Sequence, residues 1–279
     1  MITELQALIL GIIQGLTEFL PVSSSGHLVI AQKLFGLNEP PLAFDVLLHL
    51  GTLFATVIVF KDSVFKLARS VFRIPTFLKM LFQKGHLAIG DEPEVWTLIL
   101  ISVSTAITGV IGILFHDQFK KAFASLPVVS LTLFTTGTLL FLTRNRVPKG
   151  GKTPTLIPLK DACILGFAQG LAILPGLSRS GTTISVALFL GFNRQFAGEY
   201  SFLISLPAVA GAVFLESYKG FESLNASMQS LSIGFVMSFL LGTLSLKLLI
   251  RWIRSGRLSY FAFYCWMMGT FAAILALKS

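Results

Sequence analysis

The stretch Leu10-Gly-Ile-Ile-Gln14-Gly-Leu-Thr-Glu18-Phe-Leu-Pro21-Val-Ser23-Ser24-Ser25-Gly26 comes back later in the chain. Its second form is Leu165-Gly-Phe-Ala-Gln169-Gly-Leu-Ala-Ile-Leu-Pro175-Gly-Leu-Ser178-Arg179-Ser180-Gly181. Leu-Gly, Gln-Gly-Leu, Pro and Ser-x-Ser-Gly recur in order at an offset of 155 residues, slipping to 154 at the proline. Gly36-Leu-Asn38 matches Gly191-Phe-Asn193 at the same offset, and Asp45 matches Glu199 at 154. An ordered set of this kind marks an internal repeat, with one half over 1–150 and the other over 151–279.

The surroundings of both stretches are apolar. Of 279 residues, 54% are hydrophobic and 13% charged, against roughly 25% charged in soluble domains. The windows 95–115, 122–143, 223–246 and 258–277 lack any charge. Each is about long enough to cross a ~30 Å hydrocarbon core as a helix. Shorter apolar windows at 46–60 and 200–215 span only if extended back to Asp45 and Glu199. The chain is therefore expected to be a single polytopic membrane domain. No Lys or Arg precedes the first apolar run, so a cleavable signal is not expected. Cys163 and Cys265 stand alone in apolar surroundings and are expected to be inert buried thiols.

Each half reads as one polar-tipped segment followed by three spans. Three is odd, so the second half enters the membrane upside down relative to the first. Residues 5–20 are apolar, a break is expected at 21–26, and a second apolar run follows to Leu37. Pro removes a backbone donor and Gly loosens the chain there. Residues 162–174, a break at 175–181 and the run 182–192 repeat that form. Neither half-segment is long enough to span, so both read as re-entrant helix–turn–helix hairpins. Irregular backbone survives at membrane depth only when it is buried in protein or lines a wet cavity. The expected fold is all-α, with an inverted-topology repeat, six transmembrane helices and two re-entrant hairpins whose tips meet near the midplane.

The net charge of +9 is not spread evenly. Loop 61–94 carries Lys61, Lys66, Arg69, Arg73, Lys79 and Lys84; loop 144–161 carries Arg144, Arg146, Lys149, Lys152 and Lys160. Segment 247–257 carries Lys247, Arg251, Arg254 and Arg257, whereas 116–121 has only Lys120 and Lys121, and 216–222 only Lys219. Loops rich in Lys and Arg stay cytoplasmic. The expectation is that both termini and the first hairpin lie outside, with the second hairpin entering from inside. The basic charge is then a topology signal and a contact for anionic membrane lipids rather than a nucleic-acid patch.

Ionisable groups at membrane depth carry a functional expectation by default. Gln14 and Glu18, four residues apart, share one helical face. An acid and an amide oxygen there suit a hard divalent cation, Mg²⁺ or alternatively Ca²⁺, which keeps its remaining sites for water and phosphate. The competing readings are an interhelical hydrogen bond for Gln14 and an ion pair with Arg179 for Glu18. Ser23, Ser24 and Ser25 offer hydroxyls, and Gly26 admits close backbone approach. His27 sits one helical turn past Ser23, and a Ser with a nearby His is the minimal activated-nucleophile pair. In the second tip Arg179 is the only strong cation of 162–193. Ser178, Ser180, Thr182 and Thr183 surround it with donors, and Gly176 and Gly181 free the backbone. A Gly-rich turn opening a helix presents N–H groups to an anion, and Arg adds a fork matched to phosphate oxygens. Together the tips read as two halves of a buried phosphoryl-transfer site.

Gln14-Gly-Leu-Thr-Glu18, Pro21-Val-Ser-Ser-Ser-Gly-His27, Phe44-Asp-Val-Leu-Leu-His-Leu-Gly51 and Pro175-Gly-Leu-Ser-Arg-Ser-Gly181 resemble the undecaprenyl-diphosphate phosphatase family. This is also called the bacitracin-resistance family of bacterial inner-membrane enzymes. The resemblance runs in order along essentially the whole chain. It implies hydrolysis of a C55 polyprenyl diphosphate to the monophosphate carrier of peptidoglycan synthesis, a divalent cation, and a site open to the outer face. By the match, Ser24 is the candidate nucleophile, His27 its acid or base partner, and Arg179 the phosphate clamp. The family carries Glu or Gln at the first position of its acid motif; the neutral Gln14 here makes a weaker cation ligand than Glu18.

Another class of membrane lipid phosphatase pairs a Ser-Gly-His histidine with one downstream of a Ser-Arg motif. The histidines here are His27, His49, His86 and His116, and none follows Arg179. A secondary transporter or lipid flippase remains the alternative, because inverted repeats are transporter architecture. A pure transporter has no need of Ser, His and Glu beside an Arg cradle, and a structural scaffold leaves Glu18 and Arg179 without a role. Homo-oligomerisation is left open by the sequence.

Overall fold

The computed structural model describes residues 2–37, 42–85, 87–145, 150–218 and 226–278. Asn38 of the repeat, His86, and the loop charges Arg146, Lys149 and Lys219 lie outside the described residues. Among the described residues fourteen α-helices follow in order. They are α1 (Glu4–Thr17), α2 (Ser24–Leu34), α3 (Leu42–Val59), α4 (Lys61–Ser70), α5 (Ile74–Lys84), α6 (Leu87–Asp91) and α7 (Pro93–Leu114). Then come α8 (His116–Phe123), α9 (Leu126–Leu142), α10 (Leu159–Leu171), α11 (Arg179–Phe189), α12 (Arg194–Tyr218), α13 (Met228–Ser255) and α14 (Phe261–Lys278). The fold is that of an all-α polytopic membrane protein. Among the described residues four helical stretches are long and apolar enough to cross a membrane: Pro93–Leu114, Arg194–Phe214, Met228–Ser255 and Leu258–Lys278. Two bent pairs raise the number to as many as six.

Those bends correct the reading of two loops. The stretch after α3 is not irregular: helical Lys61–Gln83 turns from Ala43–Val59 by 83°. Lys61, Lys66 and Arg69 alternate with Phe65 and Leu67 in α4, and the Arg69 guanidinium lies 4.1 Å above the Phe65 ring. A basic, amphipathic helix of this kind lies along a membrane surface rather than crossing it. Arg73 then ties the segment to the start of α7 through Glu92 at 2.6 Å. Residues 116–121 belong to α8, bent by 99° from α9. Basic Lys247, Arg251 and Arg254 extend α13 instead of forming a loop.

Both hairpins form, but each break falls earlier than expected. Helix α1 ends at Thr17 and α2 starts at Ser24, so the break is 18–23 rather than 21–26. Helix α10 ends at Leu171 and α11 starts at Arg179, moving the second break to 172–178. The cause is capping. Ser23 Oγ accepts the Gly26 N–H at 3.2 Å, and Ser178 Oγ accepts the Gly181 N–H at 3.0 Å. Each bond satisfies a first-turn donor and restarts the helix immediately after the first serine. The recurring Ser-x-x-Gly is thus a pair of N-caps.

The two halves exchange partners. Hairpin helix α1 packs on α13, a span of the second half, and hairpin helix α10 packs on α7, a span of the first. Small residues permit both contacts. A Cβ on Gly11 would lie 2.7 Å from the Gly234 carbonyl oxygen, and one on the repeat-related Gly166 2.6 Å from the Ser104 oxygen. Close backbone approach through small residues is the main packing device between helices in lipid. Helix α9 packs along α14, and α3 packs against both α13 and α12. Isolated bridges pin the base of each hairpin, Ile2 to Ala226 and Lys152 to Phe192. Cys265 is buried as expected, but Cys163 is exposed.

Candidate active site

Broken backbone inside a membrane needs partners, and the third span of the opposite half supplies them to each tip. From α9, Thr132 Oγ1 donates to the Pro175 carbonyl at 2.5 Å and Thr136 Oγ1 to the Gly176 carbonyl at 3.0 Å. Thr136 Oγ1 also accepts the Ser178 N–H at 2.9 Å. From α14, the Cys265 thiol approaches the Pro21 carbonyl at 3.4 Å. Ser23 takes φ +68°, a left-handed conformation that a non-glycine residue holds only where its surroundings fix it.

These contacts bring the two tips together around Glu18. Its Oε1 pairs with Arg179 Nη2 across the hairpins. Its Oε2 accepts the Ser24 hydroxyl at 2.5 Å and the Gln14 amide at 3.0 Å. Phe19, edge-on to Phe202 with centroids 5.7 Å apart, anchors the adjoining backbone. Glu18 is buried, whereas the Arg179 and His49 side chains keep 20% and 28% of their surface exposed, so the cluster has an open side. An unpaired buried carboxylate is strongly destabilising. Glu18 has a full set of donors, and both competing readings are realised: Gln14 Nε2 bonds across to His49 of α3 at 2.9 Å, and Glu18 pairs with Arg179.

Ser24 therefore faces Glu18, not His27. The His27 ring is held elsewhere, with Nδ1 2.7 Å from the Ser23 carbonyl oxygen and Nε2 2.7 Å from the Tyr264 hydroxyl. A carbonyl only accepts, so Nδ1 carries a proton, and in the neutral ring Nε2 accepts from Tyr264. The Tyr264 and His27 rings lie stacked, 4° from parallel at 5.6 Å. Both His27 ring nitrogens are thus engaged, by Ser23 and by Tyr264, and the ring braces the strained Ser23.

The remaining cradle residues divide by task. Ser23 and Ser178 are caps. Ser25 and Ser180 place their hydroxyls 3.3 Å from those caps. Thr183 donates to the Arg179 carbonyl at 2.7 Å and meets Ser201 of α12 at 2.5 Å. Among the described residues the buried Thr182 hydroxyl has no hydrogen-bond partner. Gly26 and Gly181 are buried at the hairpin contact, where a Cβ on Gly181 would lie 3.3 Å from Pro21 Cβ. Helices α2 and α11 both open here, and their first N–H groups have no carbonyl of their own helix to bind. The arrangement offers a hydroxyl with its proton acceptor, a guanidinium and two helix N-termini, a donor set suited to an anionic phosphate.

Two participants carried no role at the level of sequence. His49 of α3 lies 2.9 Å from Gln14 Nε2 and 3.3 Å from Glu18 Oε2. Its signals were its place as an ionisable residue within an apolar span and in the motif Phe44-Asp-Val-Leu-Leu-His-Leu-Gly51. Tyr264 sits in a charge-free span and had no such signal.

The family described as Bacitracin resistance protein BacA matches residues 7–271. The chain is 42% identical over 272 residues to the undecaprenyl-diphosphatase of Desulforapulum autotrophicum, covering 96% of this chain and 97% of that protein. It is 40% identical over 275 residues to the one from Carboxydothermus hydrogenoformans, covering 97% and 96%. It is 40% identical over 278 residues to that of Alkaliphilus metalliredigens, covering 99% of both.

Proposed function

Because this chain belongs to the bacitracin resistance protein BacA family, we propose that the polar core between its hairpin tips is the active site of its undecaprenyl-diphosphatase activity. The enzyme hydrolyses undecaprenyl diphosphate to undecaprenyl phosphate and inorganic phosphate, which returns the lipid carrier to peptidoglycan synthesis and confers bacitracin resistance. The observation that carries the site is the line Ser24–Glu18–Arg179, which joins nucleophile, proton acceptor and clamp across two separate hairpins.

The diphosphate enters against Arg179 and the N-termini of α2 and α11, with its isoprenoid chain left in lipid. Ser24 Oγ attacks the terminal phosphorus in line with the bridging oxygen. As the Oγ–P bond forms, the Ser24 proton passes to Glu18 Oε2. The bridging O–P bond breaks, and undecaprenyl phosphate leaves with the bonding electrons. Arg179 and the helix N–H groups offset the charge on the transferring group, where preorganised donors act most strongly. Water then attacks the phosphoserine, releasing phosphate and returning a proton to Ser24. Glu18, held between Arg179 and Ser24, is placed to manage both protons.

A divalent cation, Mg²⁺ or Ca²⁺, fits beside this line. Among the described residues the buried Gln14 Oε1 has no hydrogen-bond partner; the amide turns its Nε2 to Glu18 Oε2, and exchanging its two ends would set an acceptor beside the carboxylate. Gln14 and Glu18 would hold the ion, with diphosphate oxygens and water filling its shell. Such an ion supplies charge neutralisation on the transferred phosphoryl group.

The distribution of Lys and Arg supports a bacterial inner-membrane location with the site opening outward and both termini outside. Contact between Ile2 and Ala226, which precedes α13, fits that sidedness. The deciding experiment is phosphate release from undecaprenyl diphosphate by the purified protein in detergent, with and without chelator. Release that Ser24→Ala abolishes supports the site. Translocation of the lipid without phosphate release would favour a flippase instead.

A further inference from the structure

Gln14 acts as a double donor beside the nucleophile. Its amide nitrogen lies 3.0 Å from Glu18 Oε2 and 2.9 Å from His49 Nδ1, so its two hydrogens serve a carboxylate and an imidazole. An amide nitrogen cannot accept, so Nδ1 is the acceptor in that contact. A neutral imidazole with a bare Nδ1 carries its proton on Nε2. Gln14 therefore sets the His49 tautomer, as a hydrogen bond to one ring nitrogen does. Among the described residues the Nε2–H has no hydrogen-bond partner. Nor is Nε2 sealed inside the protein, and the His49 side chain keeps 28% of its surface exposed.

This free donor stands at the reacting centre. His49 and Arg179 flank one carboxylate: Arg179 pairs with Glu18 Oε1, and His49 Nδ1 lies 3.3 Å from Oε2. Ser24 Oγ shares that same Oε2. Both flanking side chains are partly exposed, so the open side of the cluster has a guanidinium at one edge and an imidazole N–H at the other. We propose that His49 is a substrate-contacting residue whose Nε2–H donates to a non-bridging phosphoryl oxygen of the diphosphate, opposite Arg179. Gln14 serves this bond by holding the hydrogen on Nε2. No proton is transferred, because the basic nitrogen of the ring is taken by the amide. A fixed donor aimed at the phosphoryl group acts most strongly as charge gathers there. The contact needs no cation, and it belongs to the amide orientation in which Nε2 faces Glu18.

This inference deepens the phosphatase reading of the same site, and its test reads binding without turnover. Protein with ¹⁵N-labelled histidine, in detergent, is titrated with a non-hydrolysable methylene-bridged analogue of a polyprenyl diphosphate, once with Mg²⁺ and once with chelator. The His49 signals are assigned by their loss in His49→Gln. In the resting protein Nε2 should carry the proton, and its N–H signal should shift as the analogue saturates. By calorimetry, His49→Leu should weaken analogue binding by about tenfold or more, the scale of one hydrogen bond to a charged group. His49→Gln keeps a side-chain N–H and should stay within about threefold of the parent. Both variants are compared at parental melting temperature; if His49→Leu does not fold, the labelled parent protein decides alone. A proton found on Nδ1, an Nε2 signal unmoved at saturation, or no analogue binding in either condition overturns the proposal. So does parental binding by His49→Leu, or equal weakening in both variants. Phosphate release by the parent protein is scored separately, so these failures leave the phosphatase reading standing.

Discussion

Gly26 of the first hairpin and Gly176 of the second meet backbone to backbone: a Cβ on Gly26 would lie 3.0 Å from the Gly176 Cα. Gly176 also takes φ +89°, and a Cβ on it would come 2.5 Å from the Val129 carbonyl oxygen. Both space and backbone conformation therefore demand glycine at 176, whereas 26 demands only space. Gly176→Ala should lower the melting temperature in detergent and reduce phosphate release by more than tenfold. Gly26→Ala should be milder in both measurements, since a 3.0 Å contact demands a smaller shift than one of 2.5 Å and no positive φ holds position 26. Equal, parental behaviour of the two variants would show that the tips need not touch.

In the proposed reaction Ser24 and Glu18, bonded at 2.5 Å, act as one unit, so their substitutions should not add. Ser24→Ala and Glu18→Gln should each reduce turnover by about 10² or more, the scale for groups that act together at the reacting atom. The double variant should fall little further than the weaker single one. Independent, multiplying losses would show that Ser24 and Glu18 serve different steps.

The repeat, the hairpins and the identity of the polar cluster were legible because they are local. Leu10–Gly26 and Leu165–Gly181 can be aligned without knowing any contact. The exact break was not legible, because Ser23 and Ser178 act as caps only through bonds to Gly26 and Gly181. Nor was the partner of Ser24. His27 is three residues away and Glu18 six, yet the turn aims Ser24 at Glu18 and turns His27 toward Tyr264, 237 residues on. The bends at Phe60 and after Phe123 were equally hidden, since amphipathic interfacial helices and basic loops have similar composition.

Tyr264 should matter through His27 alone. Tyr264→Phe keeps the stacked ring and removes one hydrogen bond, whose net worth is about 1 kcal/mol. Phosphate release should fall roughly 3- to 10-fold with KM little changed. His27→Ala releases the Ser23 carbonyl as well and should be the more severe change. Parental activity of Tyr264→Phe in a kinetic assay would remove Tyr264 from the support of the site.

Sidedness can be read from two exposed positions. In a background of Cys163→Ala and Cys265→Ala, Lys66→Cys of α4 and Gln229→Cys of α13 should label from opposite faces of oriented membranes. Lys66 should be reachable from the cytoplasm and Gln229 from outside, because α3 and α13 each separate a basic end from a charge-poor end. Labelling of both from one face would contradict the inverted arrangement of the two halves.

In the proposed reaction Arg179 is the phosphate clamp, and its substitution separates a catalytic site from a structural ion pair. It reaches Glu18 from the first turn of α11, where the dipole and free N–H groups already favour an anion. Arg179→Ala should reduce turnover by about 10² or more, the loss typical of one transition-state donor. Arg179→Lys keeps the charge but not the planar fork, and should remain strongly impaired. Removing the guanidinium also leaves Glu18 buried with one partner fewer, and breaking a buried pair costs about 3–5 kcal/mol. Stability and catalysis are separated by Arg179→Ala combined with Glu18→Gln, which removes the stranded charge. The combined variant should recover melting temperature and expression but not phosphate release. If it regains both, the pair holds the hairpins together and does no chemistry.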